Sequence, residues 1–210
     1  MTILRKAEYR ALRAVSLQGA VLDLGGERRS KYHELFKGTF SITIANLGGE
    51  PAPDVTLDLE EPLPFADASY DSVLLINVLE HVFEYRRLLS ECARVLRPGG
   101  TLVIVVPFLF PYHPSPNDFH RYTAPALSLA IFKAGLKDIS ITTLGSGLFS
   151  AGWLMLERLL PQFLSPLWNL IGMFAVGIDW LFVKLARILG KKYDPADYAL
   201  GYVVTARAAS

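Results

Sequence analysis

Asp23-Leu24-Gly25-Gly26 sets a carboxylate just before a glycine pair, at the end of a short apolar run. Glycines let a backbone pass close to a ligand, and the carboxylate beside them suits a ligand carrying an ammonium group. Two nucleotide motifs fail here. The phosphate-cradling pattern GxxxxGK[ST] is absent, and a dinucleotide fingerprint would fall on Gly25, Glu27 and Ser30, so two of its three glycines are missing. Glu27 would also repel a pyrophosphate. NAD, FAD and ATP are therefore poor fits. Further polar groups stand at Asn46, Asp58, Asn77–His81 and Pro107–Tyr122, each just after an apolar run.

Those runs are the elements that must position the polar groups. They cover 19–24, 40–45, 55–57, 72–76, 101–106, 139–144 and 200–206. Apolar residues at helical spacing mark 3–16, 80–96 and 124–134, and 28–37 suits a short helix. Nearly all-apolar strands alternating with helices predict an α/β fold: a doubly wound, mostly parallel seven-stranded sheet covered on both faces. Ligands of such sheets sit beyond the carboxyl ends of the strands, where the polar groups fall.

Composition narrows the class. Lys and Arg number 21 against 20 Asp and Glu, a formal net charge of +1 that argues against a nucleic-acid binder. A hydrophobic share of 51% excludes intrinsic disorder. The single Cys92 leaves no intrachain disulfide and no multi-cysteine zinc site, and no metal is expected. Charges spread through residues 1–15 interrupt any secretory apolar stretch, so a cytoplasmic location is expected.

Several segments, in this order and spacing, resemble the motifs of class I S-adenosylmethionine-dependent methyltransferases of the type 11 kind. They are Asp23–Gly26, Pro53–Leu59 with Leu63-Pro64-Phe65 and Ser69–Val73, Asn77-Val78-Leu79-Glu80-His81-Val82 and Glu91–Gly100. Asp118-Phe119-His120-Arg121-Tyr122-Thr123 is similar to the DFxRYT loop of one subgroup. The resemblance covers 19–144 and the final strand. It implies an enzyme of the EC 2.1.1 class that uses S-adenosylmethionine to methylate a small-molecule or lipid-linked acceptor. It implies that Asp23, Gly25 and Gly26 hold the methionine moiety, that Asn46 faces the ribose hydroxyls, and that Asp58 and Leu59 border the adenine. Asn77 would line the floor near the sulfonium.

His113, Asp118 and His81 are the candidate bases, needed only for a hydroxyl or ammonium acceptor. Arg121 is the candidate clamp for an acidic group; equally, Asp118 and Arg121 could pair with each other. Two departures stand out: Glu27 and Arg29 replace glycines of the DxGxGxG pattern, and Asn46 replaces an acidic residue. With the apolar helices described next, they motivate an alternative, a weak or inactive methyltransferase-like interaction module at the membrane surface.

Between 145 and 199 the alternation breaks. Leu148–Leu189 holds all three Trp and five charged residues. Pro161 and Pro166 divide it into helices near 148–160 and 166–190. The second is apolar nearly all round and long enough to span a bilayer, but a central Asp179 costs about 2.5–3.5 kcal/mol on insertion scales. The expectation is one domain over 1–210, with 145–199 a helical insertion capping the cofactor site. Residues 148–190 would touch the inner face of the membrane or a second copy.

Overall fold

The computed structural model describes residues 1–159, 161, 163 and 165–209. Its strands are β1 (Gly19–Leu24), β2 (Phe40–Asn46), β3 (Val55–Thr56), β4 (Tyr70–Ile76), β5 (Leu96–Pro107), β6 (Leu136–Leu144) and β7 (Gly201–Ala208). They form one sheet in the order β3-β2-β1-β4-β5-β7-β6. β1 to β5 run parallel, and β7 enters antiparallel between β5 and β6.

Side chains alternate between the faces of a strand, so a two-sided sheet needs apolar residues at every position. Val21, Leu74, Ile76, Val103 and Val105 meet Leu4 and Leu12 of α1 (Ile3–Leu12) and Leu154 of α4 (Leu148–Leu156). Leu22, Val73, Leu75, Leu102 and Ile104 belong to the other core, with Leu88 and Cys92 of α2 (Tyr85–Val95) and Ile131 of α3 (Ala124–Lys133). Thr2 and Thr123 cap α1 and α3, their hydroxyls accepting from the amides of Arg5 and Ala126.

Two predicted helices come out shorter, for tertiary reasons. The stretch 28–37 keeps only a 3₁₀ turn at Lys31–Leu35, because Tyr32 and His33 turn inward to Asp23. The stretch 80–96 splits into a 3₁₀ turn, Leu79–His81, and α2. The Glu80 carbonyl is taken by the amides of Phe119 and His120, at 2.8 and 3.2 Å.

The insertion between β6 and β7 supplies α4 and α5 (Ser165–Ile188). Gly147 precedes α4 and offers no capping side chain. Asp179 of α5 does so instead: its carboxylate accepts from the amides of Phe149 (2.9 Å) and Ser150 (2.8 Å) and from the Ser150 hydroxyl (2.6 Å). The acid that argued against a bilayer span is thus a buried cap for a neighbouring helix. Among the described residues, no helix is long and apolar enough to cross a membrane. The outer face of α5 nevertheless exposes Leu170, Phe174, Trp180 and Leu181.

Candidate functional site

A cavity of 690 Å³ opens over the carboxyl ends of β1, β2, β4 and β5. It lies where the chain leaves β1 for one half of the sheet and β4 for the other, the topological switch point of a doubly wound fold. Gly25, Asn46, Ile76 and Asn77 line its floor; Leu4, Arg5 and Glu8 of α1 roof it; Phe110, His113 and Asn117 wall it. Asp58 and Leu59 lie at one end. None of the described residues of α4 or α5 lines it. The cap expected from 145–199 therefore stands one layer out. The roof is α1, whose Leu4, Glu8 and Leu12 form its buried face.

Asp23 and Gly26 do not line the cavity either. Asp23 is wholly buried beneath the turn and receives the Tyr32 hydroxyl at 2.7 Å, with His33 Nε2 at 2.6 Å. Burial pushes its carboxyl above the usual range, against the pull of these two partners. Gly26 is tied to Asn46, whose Nδ2 donates to the Gly25 and Gly26 carbonyls at 3.3 and 3.1 Å. The Asn46 side chain therefore shapes the glycine turn while lining the cavity. Glu27 also lines it.

Asn77 adopts a left-handed conformation, φ 55, which Asn tolerates better than most residues. Its Nδ2 donates to Glu8 at 3.2 Å, joining β4 to the roof. Glu8 is buried, pairs with Arg5 at 2.8 Å, and is raised by that burial. Sequence reasoning missed Glu8, yet a signal existed: it sits four residues from both Leu4 and Leu12, on the face that packs inward.

The four acid–base candidates divide. His81 and His113 line the cavity, with ring centroids 5.1 Å apart. Asp118 and Arg121 do not line it and are engaged with each other at 2.6 Å. Arg121 also donates to the His120 carbonyl, and Asp118 accepts the His113 amide at 2.9 Å. The guanidinium holds the Asp118 carboxyl down to about 2. This pair staples the 110–121 loop, and the helix cap belongs to Thr123. Glu80, left without a role in sequence, is fully buried beside both imidazoles. Its carboxylate raises His113.

Residues 41–104 match the methyltransferase domain family. The matched segment runs from β2 into β5. A probable S-adenosylmethionine-dependent methyltransferase of Mycobacterium tuberculosis is 35% identical over 91 residues, 40% of this chain and 33% of that protein. The O-methyltransferase rstn1 of Aspergillus nomiae is 45% identical over 60 residues, 29% of this chain and 27% of that one. The chain spans about a third of the length of the curated relatives it matches. The solved structure of a SAM-dependent methyltransferase of Thermotoga maritima, a possible histamine N-methyltransferase, superposes with a TM-score of 0.60 at 14% identity, covering 98% of this chain and 91% of that one. The seven-stranded sheet is the fold that this chain and that structure share.

Proposed function

We propose that the chain is an S-adenosylmethionine-dependent methyltransferase acting on a small-molecule or lipid-linked acceptor. One observation carries this reading: Gly25, Asn46, Asp58, Leu59 and Asn77, distant in sequence and assigned by the family pattern to one cofactor, line a single cavity. The donor set fits that cofactor. Leu59 offers an apolar surface to a base, Asp58 an acceptor, and Glu8 and Glu27 negative charge to an ammonium group. When bound, S-adenosylmethionine supplies an activated methyl group on a sulfonium.

The chain's own residues then bind and orient. Gly25 keeps the turn open, and Asp23 acts from below by fixing Tyr32, which lines the cavity. The α1 roof excludes water, and positioning supplies much of the rate for an already activated donor. His81 and His113 stand at the acceptor side as proton acceptors, while Asp118 and Arg121 position His113 through the loop. An oxygen acceptor is supported by the O-methyltransferase relative.

The lipid-linked class, and contact with the inner membrane face in preference to a second copy, rest on the outer face of α5. Phe174, Trp180 and Leu181 are at least 60% exposed there. Lys184 lies 3.5 Å over the Trp180 ring, the aromatic–cation pairing suited to a headgroup boundary. Calorimetric titration with S-adenosylmethionine tests the core reading. Saturable one-site binding is expected, and no heat at high cofactor concentration would overturn it.

A further inference from the structure

We propose that Glu80, His81 and His113 form a binding site for a divalent transition-metal ion at the edge of the cavity. Glu80 is 0% exposed, and neither carboxylate oxygen has a hydrogen-bond partner among the described residues. A buried carboxylate left so demands a counter-charge. His81 Nε2 lies 3.7 Å from Glu80 Oε1 and His113 Nε2 3.8 Å from the same oxygen. The ligand atoms of all three residues fall within 4.8 Å of one another. The two Nε2–Oε1 separations are too long for hydrogen bonds. They lie just beyond the roughly 3.3–3.6 Å between tetrahedral ligands about 2.0–2.2 Å from a metal, so a small turn of each ring brings the donors onto one ion.

The far side of each ring fits the same reading. His81 Nδ1 meets the Asn117 carbonyl, and His113 Nδ1 meets the Pro111 carbonyl at 3.1 Å and Asp118 at 3.2 Å, with Arg121 Nη2 farther off at 3.4 Å. The carbonyls lie nearest, and a proton on each Nδ1 leaves the Nε2 lone pairs on the Glu80 side free for an ion, the arrangement that fixes metal-binding imidazoles. Two imidazoles and one carboxylate select zinc, iron, manganese or cobalt over magnesium and calcium. Both histidines line the cavity, so the remaining coordination positions open onto it. Only the use of that open side, gripping an acceptor oxygen, rests on the methyltransferase reading. With the ion bound, the imidazoles are ligands and not bases. The sequence expectation of no metal rested on cysteine count and had no view of two histidines far apart in the chain.

The test uses the untagged full chain, stripped with chelator and dialysed against Zn²⁺ or Mn²⁺ alone. Metal content after gel filtration is measured by plasma mass spectrometry, and affinity by calorimetry without cofactor. One ion per chain is expected, with affinity at least tenfold weaker in Glu80→Gln and in His113→Asn. His113→Asn, at the cavity rim, guards against misfolding of the buried variant, and circular dichroism checks both. A wild-type chain that retains no ion, because a proton bridges Glu80 and His113 instead, would overturn the proposal. So would folded variants that bind as the wild type does. Cofactor titration is read separately: ion binding without cofactor binding would sink the methyltransferase reading alone, and the converse would sink the ion site alone.

Discussion

Gly25 sits at φ +77, and a Cβ there would stand 2.5 Å from Cγ2 of Val78. The turn therefore has both a backbone and a steric reason for glycine. Gly25→Ala is expected to cost about 1–3 kcal/mol of stability and to weaken cofactor binding, read by urea unfolding and calorimetry. Asp23→Asn tests the support beneath it. Tyr32 and His33 both meet Oδ2; an amide oxygen there is a weaker, uncharged acceptor, and the amide sets an NH2 group in the buried place of Oδ1. A loss of about 1–3 kcal/mol is expected, together with weaker cofactor affinity although Asp23 does not line the cavity. Unchanged affinity in a folded Asp23→Asn protein would remove its positioning role.

Helix α2 does more than cover the sheet. Glu91 accepts the Leu63 amide at 2.9 Å, and Arg94 donates to the Leu63 and Phe65 carbonyls at 3.0 and 2.7 Å while pairing with Glu91 at 2.7 Å. The helix thereby pins the loop that follows Asp58 and Leu59. The guanidinium beside Glu91 holds its carboxyl below the ordinary value. A depressed folded-state value means this stabilisation is full above the unfolded carboxyl value of about 4.3 and is lost as pH falls through the folded one. Glu91→Gln should therefore lower stability at neutral pH and flatten the acid limb of the stability–pH curve. An acid limb as steep as that of the wild type would exclude this role. At α4, Asp179→Ala removes the side chain that accepts from the amides of Phe149 and Ser150, and leaves only the Tyr193 hydroxyl on that of Leu148 among the described residues. A cost of about 1–2 kcal/mol is expected in thermal or urea unfolding.

For the whole molecule, α1 lies between the cavity and the insertion. Gly172 of α5 is so close to it that an added Cβ would stand 3.2 Å from Ile3 Cγ1. A surface touching α5 is thus one helix away from the cavity roof. Combining Phe174→Glu with Trp180→Ala should cut co-sedimentation with anionic phospholipid vesicles at least tenfold, with cofactor binding unchanged. A wild-type chain that ignores vesicles but runs as a dimer dissolved by the same changes would assign the face to a second copy.

The sheet and its order of elements were legible in the chain, because a strand buried on both faces must be apolar along its whole length and leaves an unbroken signal. The cavity floor was legible for the same reason: Gly25, Asn46 and Asn77 directly follow such strands. Pairings between distant segments were not. Glu8 with Asn77, Asp179 with Ser150, and Glu80 with His113 join residues that share no period or local spacing. The insertion shows the limit most clearly. Its apolar composition demanded burial or a partner, but its position behind α1 depended on which helix covers the sheet beside the cavity. Local sequence determines which side chains must leave water; only the packed structure decides what they meet, because a buried polar group takes whichever partner the fold brings within hydrogen-bond reach.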